Sequence, residues 1–339
     1  MKRVLFLSFL AMLCSCDDGD LQIEAVNFDD VGIDSCNNVD DATETTFFFK
    51  TDGDEALLLT LNGGLLENTT SLDGSITSSI STTGTPQLLY RLFTDDVSES
   101  YFCDAVPPLE PTVLAENFAT GGEITILTNV SSVTAGDKIY NHNITISDLS
   151  LTNDSGERLT DTSILEYGDF NTSTSNSPSL EVPFSNYGNI AISICGTPPT
   201  DNFVRLYKLL NDEFISLDAP TSLFANSPTG ETPRIDSLKT TTQSQFKNTV
   251  LNVLATADMA CSTSITQEMI VGDFSSIDGA IKVSTTASEP NADGIVSYTH
   301  TITLDGLSLL LKRDTDESND VTLEEIETMT FGTLVTTDQ

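Results

Sequence analysis

Two histidines, six cysteines and one dense run of acids are what this 339-residue chain offers for chemistry. His142 and His300 stand in near-identical frames, "YNHNITI" from Tyr140 and "YTHTITL" from Tyr298. An extended backbone points alternate side chains to opposite faces, so Tyr140, His142, Ile144 and Ile146 share one face while Asn141, Asn143 and Thr145 share the other. Each imidazole therefore belongs beside apolar residues, hydrogen-bonded to backbone or to a neighbouring hydroxyl. Catalysis would need more. The sequence has no serine set in a nucleophile elbow, no second histidine close by and no glutamate pair of distinctive spacing.

The acidic run is "DTDESNDVTLEE", Asp314 to Glu325. Read as a twelve-residue calcium loop it offers Asp314, Asp316 and Ser318 at alternating places, then the Asp320 carbonyl, then Glu325 as the closing ligand, and hard oxygens so spaced are what calcium takes. Asn319 stands where such loops carry glycine, and the preceding residues read as strand rather than helix. The alternative is a solvated hairpin loop. Calcium is thus the one cofactor the sequence suggests, and "KTDGDE", Lys50 to Glu55, reads as an acidic turn.

Residues 1–15 read as a signal peptide, because Lys2 and Arg3 precede an apolar run, Val4 to Leu13, too short to cross a bilayer as a helix. Leu13, Cys14, Ser15 and Cys16 look like a lipobox, which makes Cys16 the first mature residue and the bearer of the lipid. Several acyl chains on one cysteine hold stably where one would be marginal. Asp17, Asp18 and Asp20 follow at once and form a tether over 16–20. This tract resembles the acidic export signal behind the lipid-bearing cysteine of Bacteroidota surface-exposed lipoproteins. The resemblance implies an outer-membrane lipoprotein facing the cell exterior, with a periplasm-facing chain on an incidental acidic tether as the alternative. It covers only the amino-terminal end and says nothing about the rest of the chain.

Charge excludes some functions. Without Lys2 and Arg3 the mature chain carries 51 acids against 12 bases, a formal −39. Phosphate backbones would be repelled, so nucleic acid is not an expected partner. The length suffices for two ordinary domains, and 38% hydrophobic residues suffice for their cores.

Laid against itself, the chain repeats. "LQIEAVNFDDVGIDSC" from Leu21 matches "LEVPFSNYGNIAISIC" from Leu180 at an offset of 159. "KTDGDEALLL" from Lys50 meets "KLLNDEFISL" from Lys208 at 158, Cys103 meets Cys261 at 158, and the two histidine segments align at 158 without a gap. Tyr167-Gly168 corresponds to Phe331-Gly332 near the ends. The expected organisation is a first domain over 21–170, a Ser/Thr/Asn-rich linker over 171–179 and a second domain over 180–339.

With Cys14 lost in the signal and Cys16 acylated, each repeat keeps two cysteines. The expected disulfides are Cys36–Cys103 and Cys195–Cys261, each closing a loop worth about 3 to 4 kcal/mol on the chain-entropy model. Zinc is disfavoured by the lack of a CxxC spacing or a nearby histidine.

Alternation in "EITILT" (Glu123 to Thr128), "AIKVST" (Ala280 to Thr285) and both histidine segments predicts strands. Helical spacing predicts one helix before each second cysteine, over Leu88, Leu89, Leu92 and Phe93 and over Phe246, Val250, Val253, Leu254 and Ala257, and a further short helix around Leu323 to Met329. The expected fold is mainly β: two tandem homologous β-sandwich domains, immunoglobulin-like in kind, each with one or two short helices. The expected function is a lipid-anchored surface module without catalysis, binding or structural. Its expected partners are the membrane through the anchor and a glycan or envelope protein. The alternative is a glycan-acting hydrolase with an unmarked Asp/Glu pair.

Overall fold

The computed structural model describes residues 26–36, 45–70, 75–134, 137–153, 155–173, 184–196, 202–262, 265–312 and 320–337. These are mainly β and form two antiparallel sheets. The first sheet contains β1 (Thr46–Asp52), β2 (Glu55–Leu61), β3 (Ile76–Ser79), β4 (Gln87–Phe93), β5 (Val113–Val133), β6 (Lys138–Asn153), β7 (Arg158–Asp161) and β8 (Leu165–Ser173), with a five-residue helix α1 (Glu99–Cys103). The second contains β9 (Ser193–Ile194), β10 (Phe203–Leu210), β11 (Glu213–Pro220), β12 (Arg234–Ser237), β13 (Gln245–Leu251), β14 (Ile270–Ala287), β15 (Ser297–Lys312), β16 (Val321–Thr322) and β17 (Ile326–Thr337), with helix α2 (Ala257–Cys261). Both expected disulfides, Cys36–Cys103 and Cys195–Cys261, are present.

One long hairpin organises each sheet. On β5 the residues Val113 to Phe118 pair with β4, while Glu123 to Ile126 pair with β3 along the same edge. Between these stretches the pairing with β6 shifts register on both sides of Gly121. Bulges of this kind bend a strand. Gly122 takes φ +146°, and a Cβ there would meet Ile80 at 2.9 Å, so the bend needs glycine. The bend closes the sheet on itself. Ile124, Ile126, Ile144, Ile146 and Tyr167 from beyond it share one core with Phe48, Leu57, Leu59, Leu88 and Tyr90. In the second sheet the same shifts flank Asp278, beside Gly279 at φ +133°.

The second sheet repeats the strand order of the first. The register pairs Leu58↔Leu89 and Thr128↔His142 recur as Ser216↔Lys247 and Thr285↔His300. At the edge, the lone bridge Asp34↔Phe49 recurs as Ser193↔Tyr207.

Three expected helices are strands. "QLLYRLF" forms β4, with Leu88 and Tyr90 buried on one face and Leu89 and Arg91 on the other. "QFKNTVL" forms β13 in the same way, with Phe246, Asn248 and Val250 turned to the core. In β4 adjacent apolar residues mimic a helical stripe because Leu89 packs in a second apolar cluster on the opposite face, and in β13 the buried Asn248 interrupts the alternation between Phe246 and Val250. The helices α1 and α2 lie further along, and each ends on the second cysteine. Around Leu323 to Met329 the chain forms no helix but enters β17, where Ile326 and Met329 pair with Leu307 and Leu304; edge pairing overrides the helix propensity of the glutamates. The expected linker also starts too early, because Asn171 to Ser173 complete β8.

The halves meet through the tip of the β5–β6 hairpin. Val130, Val133 and Tyr140 lie in the core of the second sheet. Val133 packs where a Cβ on Gly272 would stand 2.2 Å from its Cγ1. Below it, Lys138 Nζ contacts Asp212 Oδ1 at 2.7 Å and Glu213 Oε2 at 3.1 Å. Tyr140 Oη and Thr70 Oγ1 donate to Asp212 Oδ2 at 2.9 and 3.2 Å. Burial, and then the adjacent Asp212 carboxylate, push the Tyr140 phenol well above its ordinary range, so it stays a donor.

Candidate functional site

Both histidines are buried and hydrogen-bonded to threonine hydroxyls. His142 is fully buried, and its Nδ1 and Nε2 pair with Thr128 Oγ1 and Thr172 Oγ1 at 2.9 and 2.8 Å. His300 repeats this with Thr285 and Thr336, both at 2.9 Å. Burial lowers the His142 pKa to about 4. His300 is lowered too, first by burial and then by the Arg234 charge.

Two lysines, at positions 158 apart, were not singled out by sequence reasoning. Lys50 and Lys208 point into the cores and are 1% and 3% exposed. Lys50 Nζ donates to Phe28 O at 2.6 Å and Tyr167 O at 2.8 Å, over the Tyr167 ring. Lys208 Nζ donates to Tyr187 O at 2.9 Å, over the Phe331 ring. Burial lowers the pKa of both, against a smaller opposing effect of Asp29 at Lys50. Both are sealed from solvent and bonded to carbonyls: Lys50 ties β1 to the Phe28 segment and to β8, and Lys208 ties β10 to the 3-10 turn Phe184–Tyr187.

Of the five expected calcium ligands, Asp314, Asp316 and Ser318 lie outside the described residues, as does Cys16, the expected acylation site. Asp320 and Glu325 are described. Asp320 adjoins β16, whose Val321 pairs with Leu311 of β15, and Glu325 is exposed beyond it.

The two copies differ most on the face turned away from the core. In the first, aromatic side chains fill it: Phe102 of α1 lies 4.8 Å from Phe49 and 6.4 Å from Phe47, over Leu58 and Leu89. At the matching positions the second copy has Ala260 for Phe102, Arg205 for Phe47, Ser216 for Leu58 and Lys247 for Leu89. The result is a cleft of about 140 Å³ between α2 and strands β10, β11, β13 and β14. Its apolar side is Phe214, Met259, Ala260, Ile265 and Ile270, and its polar side is Arg205, Ser216, Lys247, Thr249, Ser262 and Asp273.

Its charges are unequally committed. Arg205 forms a bidentate pair with Asp218, at 2.6 and 2.7 Å, and donates through Nη1 to Ser262 O at 2.8 Å. Hydrogen bonding to Asp218 raises its pKa further. Three of its five N–H groups are thereby used and two remain. Asp273 accepts from Thr249 Oγ1 at 3.3 Å, where the first copy has the Arg91–Glu116 ion pair. Half-buried Lys247 has no ion pair or hydrogen bond among the described residues. The register sets Lys247 diagonal to Asp273 on one face, within reach of a small molecule between them. Among the described residues of the lining, Asp273 is the carboxylate.

A scan of protein-family models, a search of curated proteins and a search of solved structures each find no match to this chain.

Proposed function

We propose that this protein is a lipid-anchored surface module that binds rather than catalyses, built as two tandem homologous β-sandwich domains of immunoglobulin-like kind. Cys16 carries the anchor, Asp17, Asp18 and Asp20 direct the chain to the outer face of the outer membrane, and the second domain points outward. The observation that carries the reading is the cleft beside the second disulfide, where a duplicated scaffold exchanged an aromatic filling for charged and hydroxyl groups. The exchange leaves a cleft with an apolar side, a polar side and an uncommitted half-buried lysine, the make-up of a small-molecule site. The partner is a glycan or another envelope component. Calcium at Asp314, Asp316, Ser318, Asp320 and Glu325 belongs to the same proposal.

The test is to screen the mature protein against glycans and envelope fractions, with calcium and with chelator, alongside Cys16→Ser and an Asp17/Asp18/Asp20→Ala variant. The reading expects saturable binding without turnover, loss of membrane attachment in Cys16→Ser, and retreat from the cell surface in the acid-free variant. Turnover of a bound glycan would replace it with the hydrolase. Unchanged melting and binding under chelator would remove calcium.

A further inference from the structure

We infer that the cleft of the second copy takes a small carboxylate-bearing molecule with an apolar body, of about one ring or one short chain. This deepens the proposed function and rests on it. Lys247 supplies the anion contact: it is half-buried, unpaired among the described residues and held on the same face as the fixed Arg205 guanidinium, which keeps two N–H groups in hand. Cations are scarce in a chain of formal charge −37. Asp218 neutralises Arg205, so Lys247 is the uncommitted cation of the lining with Asp273 diagonal to it, an arrangement that takes a compact anion at Lys247 while the acidic surface around it turns away a polyanion. Phosphate and carboxylate are then separated by the remaining lining. Asp273 opposes a second or third negative charge and instead accepts from an ammonium or hydroxyl group, so the ligand is a monoanion with a donor nearby. Met259, Ile265 and Ile270 face its apolar part.

The first copy serves as the built-in control. Leu89 occupies the position of Lys247, paired across strands with Leu58 as Lys247 is with Ser216, and Phe102 occupies the position of Ala260. Lys247→Leu and Ala260→Phe therefore install residues that the scaffold already accommodates in the same register.

Two sources could present this chemistry, a uronic acid of a glycan or a free amino acid. Titration calorimetry of the mature protein with sodium glucuronate, leucine and neutral glucose separates them. The inference expects one of the two carboxylates to bind saturably and glucose not to bind. Lys247→Leu should weaken the bound carboxylate by at least about tenfold, the usual effect of losing a hydrogen bond to a charged group. Ala260→Phe should abolish binding, with thermal melting of both variants retained. Equal affinity in wild type and Lys247→Leu, or glucose binding as tightly as glucuronate, overturns it. If neither carboxylate binds while wild type still captures a glycan from the panel above, the ligand class is wrong and the binding function stands; if wild type captures nothing, the function itself fails.

Discussion

A neutral imidazole has one donor and one acceptor nitrogen, so it satisfies two threonine hydroxyls at once, one accepting and one donating. Protonation would put a charge in the sealed core between Thr128 and Thr172. With a folded pKa near 4 against 6.5 when exposed, the unfolded chain binds more protons across that interval. Stability therefore falls as pH drops from about 6.5 to 4, by up to about 3 kcal/mol for His142. Comparing melting of wild type and His142→Gln from pH 7 to 4 isolates this contribution, because the carboxylate background is common to both. A shallower decline in the variant is expected, and parallel curves would refute it. Lys50→Met should cost about 2 to 4 kcal/mol by chemical denaturation, since the Phe28 and Tyr167 carbonyls lose their donor in the core. The histidine setting is legible in the sequence because period two alone fixes which face the ring shares. The cleft is not legible by the same means. Arg205, Ser216, Lys247 and Ala260 are individually ordinary, and their signal lies in where the aligned copies disagree in polarity, which a search for similarity passes over.

At the scale of elements, the mainly β character and both disulfides can be read from alternation and from cysteines that recur in step. The helices before the second cysteines are misplaced for a physical reason: β4 packs Leu89 under α1 on its second face, so apolar residues stand next to each other, and in β13 the buried Asn248 interrupts the apolar alternation between Phe246 and Val250. The β5–β6 bend depends on a feature that is invisible as periodicity, a paired glycine whose backbone is forced to φ +146°. Gly122→Ala combines that strain with a 2.9 Å clash against Ile80, and a loss of about 1 to 3 kcal/mol by chemical denaturation is expected.

Across the whole molecule, the repeat is joined head to tail where the half-buried Lys138 cation meets the buried Asp212 carboxylate. Asp212 is 2% exposed, and Lys138 is its ion-pair partner among the described residues. The equivalent of Asp212 in the first copy, Asp54, sits in an exposed turn, and the equivalent of Lys138 in the second is Val296, so the contact key is used once. Lys138→Met would leave the Asp212 and Glu213 carboxylates without a cation at the junction, a change that typically costs about 3 to 5 kcal/mol. Calorimetry should then resolve two unfolding transitions in place of one.

The most direct measurement is binding of glucuronate, of leucine and of a glycan panel to the mature protein beside a Lys247→Leu/Ala260→Phe double variant, which restores two of the four residues that fill this face in the first copy. A binding cleft in the second copy predicts that wild type retains at least one of these ligands while the variant, melting at the same temperature, retains none. Equal retention of the two proteins would contradict it.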